Sequence, residues 1–182
     1  MSVRSFAGLL ASGAVATLLS GCATAPARPV EPDGTYCFRT GKSYRPKLTC
    51  TVLPVPSDAI EANAKRFEPT PDAATLYIVR RRWGDVANRV PVFIDDQPAV
   101  STIPYSMVRV RLRPGSHQLV IEWESKRYVK SVNALAGEVL FVEVDGSVWS
   151  WGSTYRWAEP DAEGARQRAL RAKLIADINL GR

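Results

Sequence analysis

The sequence predicts a mainly β fold: a small antiparallel β-sandwich with a C-terminal α-helix. Three observations support this class. Short β-prone stretches separated by turn residues recur between residues 74 and 144, a spacing typical of sandwiches and barrels. Residues 107–113 alternate apolar and charged side chains, as in a strand with one buried face. Apolar residues recur at helical spacing between residues 160 and 180, which indicates an amphipathic helix.

We expect the strands at 75–80, 90–95, 107–113, 117–124, 127–132 and 139–144. Turn residues separate them at Asp95-Asp96, Pro114-Gly115, Glu124-Ser125 and Ala136-Gly137. Successive strand side chains point to opposite faces. The third strand therefore directs Val108, Val110 and Leu112 inward and Arg109, Arg111 and Arg113 outward. The terminal helix is expected to begin at Pro160 or Asp161 and to end before Gly181, since proline and glycine favour these two positions.

The first 21 residues have the anatomy of an export signal: a basic start at Arg4, an uncharged run and small residues. They end in Leu19-Ser20-Gly21-Cys22, which resembles the lipobox of bacterial lipoproteins. The resemblance implies that the leader is cut before Cys22 and that its thiol takes a diacylglycerol, with a further acyl chain such as palmitate on the new amine. Two or more acyl chains hold a protein stably on a membrane. An ordinary secretory leader with an accidental Cys22 is the alternative.

In the sorting pattern of such lipoproteins, Ala23 favours the outer membrane, because an aspartate there would favour the inner one. The expected location is the periplasmic face of the cell envelope, with a membrane reached through the lipid anchor. Residues 22–35 are rich in proline and poor in large apolar side chains, which predicts an extended tether. Residues 36–72 are expected to form a disulfide hairpin and a connector, and 73–182 the sandwich domain with its helix.

Cys37 and Cys50 flank a loop of turn-forming residues between two β-prone stretches. Because Cys22 is assigned to lipid and the compartment is oxidising, these two cysteines are predicted to form a disulfide bond. A metal site would need further ligands, and the chain contains one histidine, His117. In the connector, residues 58–67 are expected to form a short helix capped by Ser57 or Asp58.

Four motifs follow one another along the strand block: residues 76–80, 92–97, 112–119 and 136–143. They are a strand ending in arginine, a hairpin around Asp95-Asp96, a Pro-Gly-x-His turn and an Ala-Gly-Glu strand start. In this order the block resembles a domain-of-unknown-function family of bacterial lipoproteins and, more loosely, the PEGA-type β-sandwich modules. The resemblance implies fold and location, and the family offers no established chemistry. The cysteine segment and the terminal helix depart from its pattern.

Catalysis would have to use His117, with Ser101, Ser106 or Ser116 as nucleophile, and no Gly-x-Ser-x-Gly motif is present. A turn or strand-start role suits His117 better, and local turn bonding suits Asp95 and Asp96. We therefore expect no enzyme, no catalytic residue, no metal and no cofactor. Nucleic acid is also an unexpected partner, because the 24 Lys and Arg residues are spread among 18 Asp and Glu residues.

Two surfaces are candidates for binding an envelope protein or a glycan. Aromatic residues recur at odd positions, so an extended segment would place them on one face that could stack on sugar rings: Trp149, Trp151, Tyr155 and Trp157. Arginines 80–82 could join Arg109, Arg111 and Arg113 in a basic face. Packing of the aromatic residues beneath the terminal helix and plain solvation of the arginines are the alternatives. The leading hypothesis is a noncatalytic interaction module, and the second is a carbohydrate- or peptidoglycan-binding module.

Overall fold

The computed structural model describes residues 30–42, 44–81, 88–149 and 152–181. The leader and Cys22 therefore lie outside the described residues, as do Arg82 and Trp151. The strands are β1 Cys37–Lys42, β2 Arg45–Cys50, β3 Ala74–Arg80, β4 Val90–Ile94, β5 Gln97–Thr102, β6 Ser106–Leu112, β7 Gly115–Trp123, β8 Lys126–Ala134, β9 Val139–Trp149, β10 Gly152–Trp157 and β11 Lys173–Leu180. The helices are α1 Asp58–Ala64 and α2 Ala162–Arg171.

The smaller of the two main sheets has four strands in the order β5-β4-β7-β8, all antiparallel. Its hairpins turn at Asp95-Asp96 and Glu124-Ser125, where all four residues have φ between 47° and 63°. Positive φ at both central residues matches the strand twist in two-residue hairpins. The predicted turns at these positions are confirmed, whereas β5 was not predicted because Pro98 interrupts its pattern.

The larger sheet has five strands in the order β10-β9-β3-β6-β11. The pairs β3–β9 and β6–β11 are parallel, so this sheet is mixed where an antiparallel one was expected. Helix α2 connects β10 at one edge to β11 at the other. A helical crossover of this kind returns the chain in the same direction, which makes parallel pairing possible.

The main core lies between these sheets. Val108, Val110 and Leu112 are fully buried in it, which confirms their predicted inward direction. Side chains of β3 accompany them, and Val92, Ile94, Leu119 and Ile121 face them from the smaller sheet. The fold is thus a β-sandwich, as the strand pattern predicted.

A second cluster lies on the outer face of the larger sheet. Tyr77, Val79 and Met107 pack there against residues of α1 and α2. Both helices begin close to where the sequence predicts. The side chain of Ser57, one of the two predicted caps of α1, accepts from the Ile60 N–H, and the Asp161 side chain accepts from the Gly164 N–H. Both helices therefore begin where a capping side chain satisfies a backbone donor.

The terminal helix is shorter than predicted. It ends at Arg171, and residues 173–180 form strand β11 instead of continuing the helix. Leu174 packs on the helical side of the sheet, while Ile175 packs between the sheets. An edge place beside β6 supplies backbone pairing for this segment, and both faces of it are apolar enough to be covered.

Strands β1 and β2 form a separate hairpin. Cys37 lies opposite Cys50 in its register, and the two are joined by the predicted disulfide bond. Tyr36 and Phe38 anchor the hairpin because their side chains enter the main core. None of the helices in the described ranges has the length and apolar character that crossing a membrane requires.

Candidate interaction surface

Tyr155 does not belong to an exposed aromatic surface. Its side chain is 0% exposed, and its ring packs edge-on against Trp123 at 4.6 Å between centroids. The Arg80 guanidinium lies 4.8 Å from the same ring, and the Asn88 amide donates to the Tyr155 hydroxyl at 3.0 Å. The prediction that Tyr155 contacts a ligand at the surface is therefore wrong, because β10 folds this face inward.

The neighbouring tryptophans join β10 to the smaller sheet. The Trp157 indole N–H donates to the Tyr128 carbonyl at 2.9 Å, and the Trp123 indole N–H donates to the Ser153 carbonyl at 2.8 Å. Packing of the aromatic residues is thus correct for Tyr155 and Trp157, although they pack between sheets and not beneath α2. The side chain of Trp149 lies outside the described residues.

Arg109 and Arg111 lie on the outer face of the larger sheet, as predicted, but they share one carboxylate. Arg109 donates to both oxygens of Asp177 at 2.9 and 2.8 Å, and Arg111 donates to them at 3.0 and 3.2 Å. Arg109 also donates to the Asn63 side chain at 2.7 Å and is 8% exposed. A basic face open to phosphate is therefore wrong for this pair.

Arg80 and Arg113 do not join that pair either, and Arg82 lies outside the described residues. Arg80 points into the molecule, is 1% exposed, and donates to the carbonyls of Asn88 and Thr102. Arg113 follows β6 and is exposed. Its backbone carbonyl receives a hydrogen bond from His117 Nε2 at 2.8 Å if that nitrogen carries the proton.

A buried carboxylate that the sequence did not single out binds α2 to the sheet. Glu143 is 4% exposed and accepts from Arg81 and Arg168. Arg168 also donates to Asp161, the N-cap of α2, at 2.8 Å. The hydrogen bonds from Arg168 to Glu143, opposed by burial and aided by Asp161, raise the pKa of Arg168. A signal was present, since Glu143 continues the outward-facing series of Val139 and Phe141.

A second ionic group binds α1 to β11. The Lys173 ammonium is 7% exposed and contacts Asp58 and Glu61 at 3.1 and 2.5 Å. Burial opposes the charge of Lys173, but its bonds to these carboxylates prevail and raise its pKa. Both ionic groups connect helices to strands, so their charges serve the fold.

His117 and Asp95 form a pair at the end of β7. His117 Nδ1 and an Asp95 oxygen lie 2.6 Å apart, and the other Asp95 oxygen accepts from the Gln118 N–H at 2.9 Å. Burial disfavours the imidazolium, but the Arg113 carbonyl and Asp95 outweigh it and raise the pKa of His117. The position of His117 near the start of a strand and that of Asp95 in a turn are as predicted. The Asp95 carboxylate, however, bonds to β7 and not locally within its turn.

The disulfide hairpin and the loop after it carry a concentration of exposed apolar side chains. Tyr44, Leu48, Val52 and Leu53 are 49–73% exposed. Arg39 lies opposite Leu48 in the strand register, and Arg39 and Lys47 are both exposed. We call these six side chains the hairpin surface. They include four of the nine exposed large apolar side chains in the described part of the chain.

Comparison with known proteins finds no matching family model and no matching curated protein. Within the described ranges, no three residues with metal-binding side chains gather in one place.

Proposed function

We propose that this protein is a lipid-anchored, noncatalytic interaction module on the periplasmic face of the cell envelope, at the outer membrane. The observation that carries the proposal is Leu19-Ser20-Gly21-Cys22, an acceptor cysteine behind a leader with a basic start and an uncharged run. A proline-rich tether of residues 22–35 follows, and then a disulfide-bonded domain. An anchor, a spacer and a displayed domain suit a protein that presents a surface to envelope partners.

Two features of the domain support the proposal. A disulfide bond is stable in the oxidising periplasm and is rare in reducing compartments. The buried ionic groups around Glu143 and Lys173 join helices to the sheet, and the group around Asp177 joins β6 to β11. Those side chains therefore contribute to the scaffold, and a partner would bind an exposed surface of the domain.

The anchor is tested by metabolic labelling with palmitate. We expect label in the wild-type chain and in Ser20→Ala, which keeps a small residue in the lipobox, and no label in Cys22→Ala. Inhibition of the lipoprotein signal peptidase should also accumulate the unprocessed precursor. Label retained in Cys22→Ala, or absent from the wild type, would contradict the proposal.

Glycan binding has lost part of its support. Tyr155 is buried and Arg109 and Arg111 are paired with Asp177, so these three residues have structural partners and do not form a surface for a sugar polymer. Co-sedimentation with purified peptidoglycan sacculi tests what remains of this alternative, and we expect the protein to stay in the supernatant.

A further inference from the structure

We propose that the disulfide hairpin docks on the membrane that holds the lipid anchor, with its basic and apolar side chains in the headgroup region of an anionic leaflet. This inference rests on the proposed anchor and adds an orientation to it. The hairpin end of the domain would face the bilayer, and the opposite end would face the periplasm.

The hairpin segment is positively charged. Between Asp33 and Asp58 the chain has four basic residues and no acidic one; the four are Arg39, Lys42, Arg45 and Lys47. Each Lys or Arg close to an anionic leaflet strengthens binding by roughly fivefold. Residues 164–176 also contain four basic residues and no acidic one, but two of them lie in ion pairs that join elements of the fold: Arg168 contacts Glu143, and Lys173 contacts Glu61. The hairpin thus carries a local excess of positive charge, which complements anionic phospholipid.

The hairpin and the loop after it also expose large apolar side chains. Tyr44 is 73% exposed, Leu53 71% and Val52 65%. Aromatic and aliphatic side chains beside basic ones are typical of surfaces that enter the boundary between headgroups and acyl chains. Exposure of apolar side chains to water is unfavourable. Their burial at the bilayer boundary would therefore favour binding.

The lipid anchor lies close to the hairpin in the sequence. Cys22 precedes Cys37, the first residue of β1, by 15 positions. Residues 31–35 form a hydrogen-bonded turn, so the eight positions from Cys22 to Val30 are left to extend, over about 25 Å. The hairpin is consequently the first folded element after the lipid and lies within reach of the same leaflet. Because the anchor keeps it at a high effective concentration near the surface, weak attraction is enough to orient the domain.

Hydroxyl-radical footprinting of the processed full chain tests the docking. The protein is reconstituted through its lipid into nanodiscs of phosphatidylcholine, with or without phosphatidylglycerol, and oxidation is measured residue by residue. With phosphatidylglycerol present, we expect oxidation of Tyr44, Leu48 and Leu53 to slow by about threefold or more. Val129 and Leu135, which are 56% and 58% exposed on and beside β8, serve as internal controls and should keep their rates.

Matched variants separate the hairpin from the rest of the surface. Lys47→Glu and Leu53→Asp should abolish the protection, whereas Lys126→Glu and Leu135→Asp should leave it intact. All four positions are exposed, so the variants are expected to fold. Equal oxidation of Tyr44 and Leu53 in both kinds of nanodisc would overturn the docking. Protection in intact cells without protection in nanodiscs would also overturn it and would indicate a protein partner.

Failure of docking can be distinguished from failure of the anchor. A chain that carries palmitate but shows no hairpin protection retains the anchor and loses the docking. If the chain carries no lipid, it is added from solution to sedimenting vesicles that contain phosphatidylglycerol. Binding that Lys47→Glu abolishes and Lys126→Glu does not would then support docking alone, and absence of binding would refute it.

Discussion

At the residue scale, the carboxylate of Asp177 pairs with the outward-facing arginines of β6, so they do not form an open binding face. Asp177 accepts from both Arg109 and Arg111. Burial works against its charge, but the two guanidinium groups prevail and lower the pKa of its carboxyl group. A row of arginines that looks like a binding face in the sequence therefore becomes a junction between β6 and β11.

Replacing Asp177 with Asn should lower the free energy of unfolding by about 2 kcal/mol, because the Arg109 side chain, 10% exposed, keeps a charge without its counter-charge. Asp96→Asn is the matched control. Its carboxylate is 73% exposed beside an exposed Arg127, so a change within about 0.5 kcal/mol is expected. Urea unfolding at neutral pH measures both, and equal losses would contradict the assignment.

The pair of His117 and Asp95 predicts a pH dependence. The pKa of His117 is raised in the folded state, so its contribution to stability is complete below the unfolded value of about 6.5 and is lost as pH rises through the higher folded value. His117→Gln should therefore destabilise the protein by about 1 kcal/mol in mild acid. The difference from the wild type should shrink at alkaline pH.

Two measurements check this prediction. Unfolding by urea across the pH range gives the stability difference, and a constant difference would refute the linkage. Because His117 is the single histidine of the chain, its ring proton signals in an NMR titration report the folded pKa directly. Asp95 has a lowered pKa, so the pair should weaken again only when strong acid protonates its carboxylate.

At the scale of elements, β11 completes the larger sheet and the layer outside it. Leu174 is 0% exposed between the sheet and the helices, whereas Leu170 on α2 is 42% exposed. Leu174→Ala should cost about 3 kcal/mol through lost burial and a cavity, and Leu170→Ala less than about 1 kcal/mol. Urea unfolding of the two variants gives the comparison. If residues 173–180 continued the helix, Leu170 and Leu174 would lie on the same helix face, and the two losses of stability would be similar.

Element type was predictable where the pattern is local. The alternation in β6, the turn residues at Asp95-Asp96 and the approximate starts of the two helices were evident in the sequence, because each depends on neighbours within a few positions. The segment after Arg171 has apolar residues compatible with either period. Its pairing partner β6 lies more than 60 residues away, so local spacing could not identify a strand there.

At the scale of the whole molecule, β3 and β6 connect the two hydrophobic clusters, because each strand contributes side chains to the main core and to the cluster beneath the helices. Ile78 and Val108 face the main core, while Tyr77 and Met107 face the helices. We therefore expect one cooperative unfolding transition with the disulfide intact. Far-UV circular dichroism and tryptophan fluorescence should give the same midpoint. An earlier fluorescence change would indicate that the contacts of Trp123 and Trp157 between the two sheets are lost before the secondary structure.

The sequence by itself determined the features that depend on short range: strand alternation, hairpin turns, the approximate starts of the helices and the pairing of two cysteines within one hairpin. Tertiary structure alone decided the strand order, the parallel strand pairs, the inward position of Tyr155 and the ion pairs of Arg109 and Arg111 with Asp177. The reason is physical. Short-range features follow from the geometry of adjacent residues, whereas the others depend on which distant surfaces are buried together, and many distant pairings are compatible with one local pattern.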